Sequence, residues 1–146
     1  MRFEYKRYRQ EHGPDIVRPV IEVVLRNLRD ATAPVVAYEA LVDSGSDRNI
    51  FPAELAEVLG IELSAAKTVR YVGGVVAGER RPVYFHPIEI EVGGLGGPAF
   101  WTVVGFMPQF SKAGYGLLGR NGFFDVFTFI KFKDAEHVLE IARKRR

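Results

Sequence analysis

The sequence predicts an all-β domain with one or two short helices, and two observations support this fold class. Short apolar runs with a two-residue alternation recur along the 146 residues. The 15 glycines and 8 prolines separate these runs at intervals that suit turns. Cysteine is absent, which excludes disulfides, thiolate metal sites and cysteine nucleophiles. A chain of this length can bury a sufficient core as one domain.

The alternation predicts strands at Val20–Leu25, Val35–Val42, Thr68–Val72, Val83–Val92, Ala99–Val104, Phe127–Phe132 and Val138–Ile141. The last two are expected to pair as a hairpin, because a polar turn joins them. A helix is predicted over residues 52–60, since Pro52 is tolerated in a first turn and Gly60 follows the last apolar position. A second short helix is predicted around residues 122–126.

Basic residues are concentrated at both ends of the chain. Eight of the 20 are Arg2, Lys6, Arg7, Arg9 and Arg143–Arg146, whereas residues 10–142 carry 12 basic and 17 acidic residues, a formal charge of −5. We therefore divide the chain into a basic N-terminal extension (1–15), a domain (16–142) and a basic C-terminal tail (143–146). The domain body has no nucleic-acid footprint, and binding through the basic ends stays as an alternative.

Membrane insertion, metal binding and dinucleotide binding are not expected. No apolar run approaches the roughly 20 residues that cross a bilayer, and residues 1–9 do not form a secretion signal, so we expect a cytoplasmic protein. The three histidines are far apart in sequence. The segment Gly94–Ala99 fits the pattern G-x-G-x-x-A, but strand-like residues follow it where that motif needs a helix.

The first segment with chemical potential is an aspartate that ends an apolar run. Asp43 follows Ala40–Val42 and precedes Ser44, Gly45 and Ser46. A strand would hold this carboxylate rigidly, the glycine would let the backbone approach it, and the hydroxyls would orient it. An Asx turn that satisfies Asp43 locally explains the same residues, so both interpretations stay open here.

A second segment, Gly116–Phe124, contains the run Leu-Leu-Gly-Arg-Asn some 70 residues later. The ordered pair of segments resembles the retropepsin-like aspartic proteases, and the resemblance covers about residues 35–132. It implies an acid-protease half-barrel with a flap hairpin that assembles as a homodimer. In the family pattern Asp43 matches the catalytic aspartate, and Ser44 and Gly45 complete the signature, with serine where threonine is usual.

The resemblance also implies roles for residues around the aspartate. Asp47 matches an aspartate that contacts the substrate backbone, and Arg120 matches an arginine that pairs with it through a carboxylate bridge. Ser46, Gly119 and Arg120 are assigned to structural support of the site. The segment Tyr71–Glu79 matches the flap, with Gly73 and Gly74 expected to contact substrate. An ordinary surface hairpin explains this segment too, and Asp47 and Arg120 could equally be unrelated surface charges.

The function implied is that of an aspartic endopeptidase with a peptide or protein substrate and no metal or organic cofactor. Because the chain contains one Asp-Ser-Gly sequence, two copies are expected to supply the two carboxylates. The alternative is a catalytically silent member that binds peptide or mediates dimerisation, because a fold does not guarantee an activity.

Overall fold

The computed structural model of the chain describes residues 1–63, 68–73, 80–110 and 114–143. These residues form twelve strands: β1 (Arg2–Glu4), β2 (Lys6–Tyr8), β3 (Ile16–Arg18), β4 (Val20–Arg26), β5 (Val36–Val42), β6 (Asn49–Pro52), β7 (Thr68–Gly73), β8 (Arg80–Val92), β9 (Ala99–Met107), β10 (Gly116–Leu118), β11 (Phe127–Lys133) and β12 (Val138–Arg143). The helical elements are α1 (Glu54–Val58) and two single-turn 3-10 helices, Phe124–Val126 and Asp134–Glu136.

All seven predicted strands are confirmed, as are the two helical segments, the second of which is the 3-10 turn before β11. The predicted terminal hairpin is also confirmed, because β11 and β12 pair antiparallel. The segment Gly94–Ala99 lies in the turn between β8 and β9, and Ala99 begins a strand rather than a helix. The five strands that the pattern missed are β1, β2, β3, β6 and β10, each three or four residues long.

A closed sheet forms the centre of the molecule. Seven strands are ordered β4-β5-β10-β6-β9-β8-β7, and β4 also pairs with β8, so six of them close into a barrel. Strand β7 extends from β8 as an antiparallel hairpin. The core inside includes the fully buried side chains of Phe51, Phe106, Leu118 and Phe123.

One feature of this sheet positions the candidate site. Strand β10 lies between β5 and β6, which follow one another in sequence. It runs parallel to β5, with Leu118 opposite Val42, and antiparallel to β6. As a result, the loop that leaves β5 and the loop that leaves β10 emerge side by side at one end of the barrel.

A second sheet brings the two ends of the chain together. Strand β12 lies between β1 and β11, and Arg2 is opposite Glu140. The Met1 nitrogen donates to the carbonyl of Ile141 at 2.7 Å. Residues 2–4 of the predicted N-terminal extension therefore belong to a sheet with the C-terminal strand, while residues 144–146 lie outside the described part of the chain.

Within the described ranges, no helix has the length and apolar character needed to cross a bilayer.

Glu91 provides a pH-sensitive contact in the barrel wall. Its buried carboxylate accepts hydrogen bonds from the Arg26 guanidinium and, at 2.9 Å, from the Gly96 amide. These two donors, Arg26 first, lower the pKa of Glu91. A carboxyl group with a lowered folded-state pKa stabilises the fold above its unfolded pKa, and this contribution is lost as pH falls through the folded value.

We predict that Glu91→Gln removes this contribution and flattens the fall in unfolding free energy between about pH 5 and pH 3. Urea denaturation at several pH values measures the effect. Glu89→Gln is the matched control, because Glu89 contacts the same Arg26 at 3.4 Å but lies at a more exposed position. Equal acid sensitivity of wild type and Glu91→Gln would contradict the assignment.

Candidate active site

Asp43 is held at the point where β5 leaves the barrel. Its amide donates to the carbonyl of Leu118 at 3.0 Å, so the neighbouring strand β10 fixes the backbone at this position. The residue before it, Val42, is 2% exposed, whereas the Asp43 side chain is half-buried. The sequence therefore places a carboxylate at the boundary between the core and solvent.

The loop after Asp43 orients that carboxylate. The Gly45 amide donates to Asp43 Oδ1 at 2.9 Å, and the Ser46 amide donates to the Asp43 carbonyl at 3.1 Å. A Cβ atom at position 45 would lie 3.2 Å from Oδ1, which explains why glycine suits this turn. The local Asx-type bond is therefore present, and it is compatible with a functional role because Oδ2 accepts no hydrogen bond from the described residues.

Backbone hydrogen bonds join this loop to the loop after β10. The Arg120 amide donates to the carbonyl of Ser46 at 2.9 Å, and the Asn121 amide donates to the carbonyl of Asp47 at 3.0 Å. The Asn121 side-chain amide donates to the same Asp47 oxygen at 2.9 Å. The two sequence segments that carry the resemblance are therefore in direct contact.

The predicted side-chain bridge between Asp47 and Arg120 is not formed among the described residues of the single chain, and the pairing stays a prediction. Both residues are exposed, and the ion pairs formed within the described ranges do not include this one. The main chain joins the two loops instead, and it leaves both charged groups facing solvent. The substrate-binding role assigned to Asp47 stays a prediction.

Gly119 lies where the two loops approach most closely. A Cβ atom at this position would overlap the backbone of Arg48, so no residue with a side chain fits without moving one of the loops. Within the Asp43 loop, the Ser46 hydroxyl donates to the Arg48 carbonyl at 2.8 Å. Ser44 is exposed beside Asp43.

Sequence reasoning missed Asn49, the buried residue that connects these loops to the sheet. Asn49 is 0% exposed, and its Oδ1 accepts the Gly119 amide at 2.9 Å. Its Nδ2 lies 3.4 Å from both Thr102 Oγ1 and the Val103 carbonyl. The Thr102 hydroxyl in turn donates to the Gly122 carbonyl at 2.6 Å. The available signal was a polar residue at the start of an apolar run, Asn49-Ile50-Phe51.

The predicted flap, Tyr71–Glu79, begins in β7, and residues 74–79 lie outside the described part of the chain. Gly73 is the last residue of β7 and is opposite Arg80, the first residue of β8. Gly74 lies outside the described residues, so its assignment and that of the flap stay predictions. As for metals, no group of three or more His, Asp or Glu side chains in the described part of the chain could hold an ion.

We predict that Asn49→Ala lowers the unfolding free energy by about 1–3 kcal/mol, because it leaves the buried amide of Gly119 without an acceptor. Chemical denaturation at neutral pH measures the change. The matched control is Asn121→Ala, which removes an exposed side-chain hydrogen bond that water can replace and should cost less than about 1 kcal/mol. Equal losses in the two variants would show that Asn49 is not the buried connection described above.

Comparisons with known proteins agree with this architecture. No family model and no curated protein matches the chain in sequence. Among solved structures, a retropepsin-like aspartic protease from Rickettsia conorii superposes with a TM-score of 0.58. The two proteins are 17% identical, and the superposition covers 95% of this chain and 97% of that one. The predicted fold is therefore confirmed: the chain has the mostly-β, barrel-like fold of a retropepsin-like aspartic protease.

Proposed function

We propose that this protein is a homodimeric aspartic endopeptidase whose active site contains one Asp43 from each subunit. The observation that supports this most strongly is the position of Asp43 at the end of β5, with one carboxylate oxygen held by Gly45 and the other without a hydrogen bond from the described residues. The fold shared with a retropepsin-like aspartic protease supports the same chemistry.

The requirement for two chains follows from the sequence. Aspartic protease chemistry uses two carboxylates that share a proton, and this chain carries one Asp-Ser-Gly segment. Two such groups close together cannot both ionise cheaply, so one keeps its proton while the other stays charged. A twofold axis beside the Asp43 loops supplies this pair, and the exposed hydroxyl of Ser44 is then in place to donate across the axis.

In the proposed reaction, the charged carboxylate removes a proton from a water molecule as its oxygen adds to the peptide carbonyl carbon. The protonated carboxyl group donates to the carbonyl oxygen and stabilises the charge that develops there. A proton then passes to the amide nitrogen, the C–N bond breaks, and the carboxylic acid and amine products leave. No metal or organic cofactor takes part in these steps.

The substrate is proposed to be an extended peptide. Residues of such a peptide add main-chain hydrogen bonds to the edge of a sheet, and their side chains alternate between the two faces. In this site the β7–β8 hairpin, with Gly73 and Gly74, is proposed to cover the peptide as a flap, and Asp47 to contact its backbone. A cytoplasmic location belongs to this proposal as well.

The alternative is a silent peptide-binding or dimerisation module. It is favoured by the bond between the Gly45 amide and Asp43 Oδ1, because a turn satisfied in this way is stable without any catalytic role. The two proposals differ in a single measurable property, namely whether the protein cleaves peptide substrates in a reaction that requires Asp43.

We predict that Asp43→Asn lowers the rate of peptide cleavage by at least about 100-fold, since the neutral amide cannot accept the proton of water. Mass spectrometry of a peptide library incubated from acidic to neutral pH measures the cleavage. Asp15→Asn is the matched control, because it removes an exposed aspartate whose partner Arg7 is 3.6 Å away. Cleavage that survives in Asp43→Asn refutes the assignment, and a wild type that binds peptide without cleaving it supports the silent module.

A further inference from the structure

A groove lies beside the catalytic loops and takes no part in the mechanism above. Its volume is about 470 Å³, and it is lined on one side by Trp101 and Val103 of β9 and on the other by Arg48, Asn121 and Val126. We call it the Trp101 groove. Arg48 and Asn121 are paired by a β-bridge, so the groove begins where the two loops of the site meet.

The apolar wall of the Trp101 groove consists of two exposed side chains on one face of β9. Trp101 is 62% exposed and Val103 is 37% exposed, whereas Thr102 between them is 3% exposed. In the aromatic contacts formed among the described residues, no ring packs on Trp101. An indole buries a large apolar area when it is covered, so an exposed indole in a groove indicates a surface for a partner.

Two charged side chains line the groove, the cation Arg48 and the anion Asp125. The Asp125 carboxylate accepts a hydrogen bond from the Gly122 amide at 3.0 Å. Glu89 is opposite Trp101 on β8, and its carboxylate lies 3.4 Å from the Arg26 guanidinium. In contrast, the exposed guanidinium of Arg48 forms no ion pair or hydrogen bond with the described residues. A free cation beside an uncovered aromatic face favours a ligand that has both an acidic and an apolar group.

The groove and the proposed active site share one loop of the chain. Arg48 belongs to the same loop as Asp43, and Ser46 between them donates to the Arg48 carbonyl at 2.8 Å. The Asp43 loop therefore supplies one of the residues that line the Trp101 groove.

We propose that the Trp101 groove binds a segment of the substrate that flanks the scissile bond and carries an acidic side chain for Arg48 and an apolar side chain for Trp101. This proposal rests on the proposed function, because it identifies the flanking segment as part of the protease substrate. In an extended segment, side chains two residues apart project from the same face about 7 Å apart. The acidic and the apolar residue must therefore be two positions apart to face the groove together. A run of two acidic residues followed by two apolar residues contains two such pairs.

The experiment uses the intact chain carrying Asp43→Asn, so that peptide is not consumed. Trp101 is the single tryptophan of the sequence, and its fluorescence therefore reports the groove directly. The probe is the blocked peptide acetyl-Gly-Ser-Glu-Glu-Leu-Leu-Ser-Gly-amide, and the control peptide has lysine in place of both glutamates. We expect a saturable change in emission with the first peptide and a response at least about tenfold weaker with the second.

Matched variants locate the interaction. Arg48→Gln is expected to weaken binding of the acidic peptide about fivefold, because it removes one partner of a partly exposed charge pair. Arg9→Gln removes an exposed arginine beyond β2 and is expected to leave the affinity for this peptide unchanged. Thermal denaturation checks that both variants are folded. An absence of saturable change, equal response to the lysine peptide, or equal loss in the two variants would overturn the proposal.

Failure of this proposal and failure of the proposed function give different results. In the first case, the groove binds no acidic peptide, while the wild type cleaves peptides of the library and Asp43→Asn does not. The protease assignment then holds and the groove assignment is wrong. If the acidic peptide binds at Trp101 but the wild type cleaves no peptide, including this one, the groove is a peptide site of a silent module, and its description as part of a protease substrate site is wrong.

Discussion

The insertion of β10 between β5 and β6 is the constraint on which the site depends. It places the end of β5 beside the end of β10, and the amide of Asp43 then bonds to the carbonyl of Leu118. The two loops that follow meet through main-chain hydrogen bonds, for which only glycine fits at position 119. Asn49 satisfies the buried Gly119 amide and connects it to β9. The barrel wall thus fixes the backbone of Asp43, and the amide of Gly45 in the following loop orients its carboxylate.

Local patterns in the sequence predicted the long strands and the turn at Asp43, because the long strands alternate in hydrophobicity and a glycine follows the aspartate in that turn. The short strands were missed for a physical reason. Strand β6 is buried at all four positions and ends in proline, and β10 contains glycine, so neither shows the alternation of a half-buried strand. Both exist because of their neighbours in the sheet. Strands β1 and β12 likewise pair across nearly the whole chain, which no local pattern reveals.

The two segments that carry the predicted site residues are in contact, but through hydrogen bonds that were not predicted. The loops of Asp43 and Arg120 do meet, but through the main chain of Ser46 and Asp47 rather than through the charged side chains. The resemblance to the retropepsin-like family indicated which segments approach each other, whereas the direction of a side chain at an exposed position depends on the backbone of both loops. Asn49 was missed for a related reason, since a buried amide becomes informative only when its distant partners, Gly119 and Thr102, are known.

The central claim is that two chains share one hydrolytic centre, and subunit mixing tests it most directly. Wild type and Asp43→Asn are combined in equal amounts at constant total protein, allowed to exchange subunits, and assayed for peptide cleavage. If mixed dimers are inactive, random association leaves roughly one quarter of the wild-type activity. Retention of half the activity, as expected when each chain acts alone, would contradict the account.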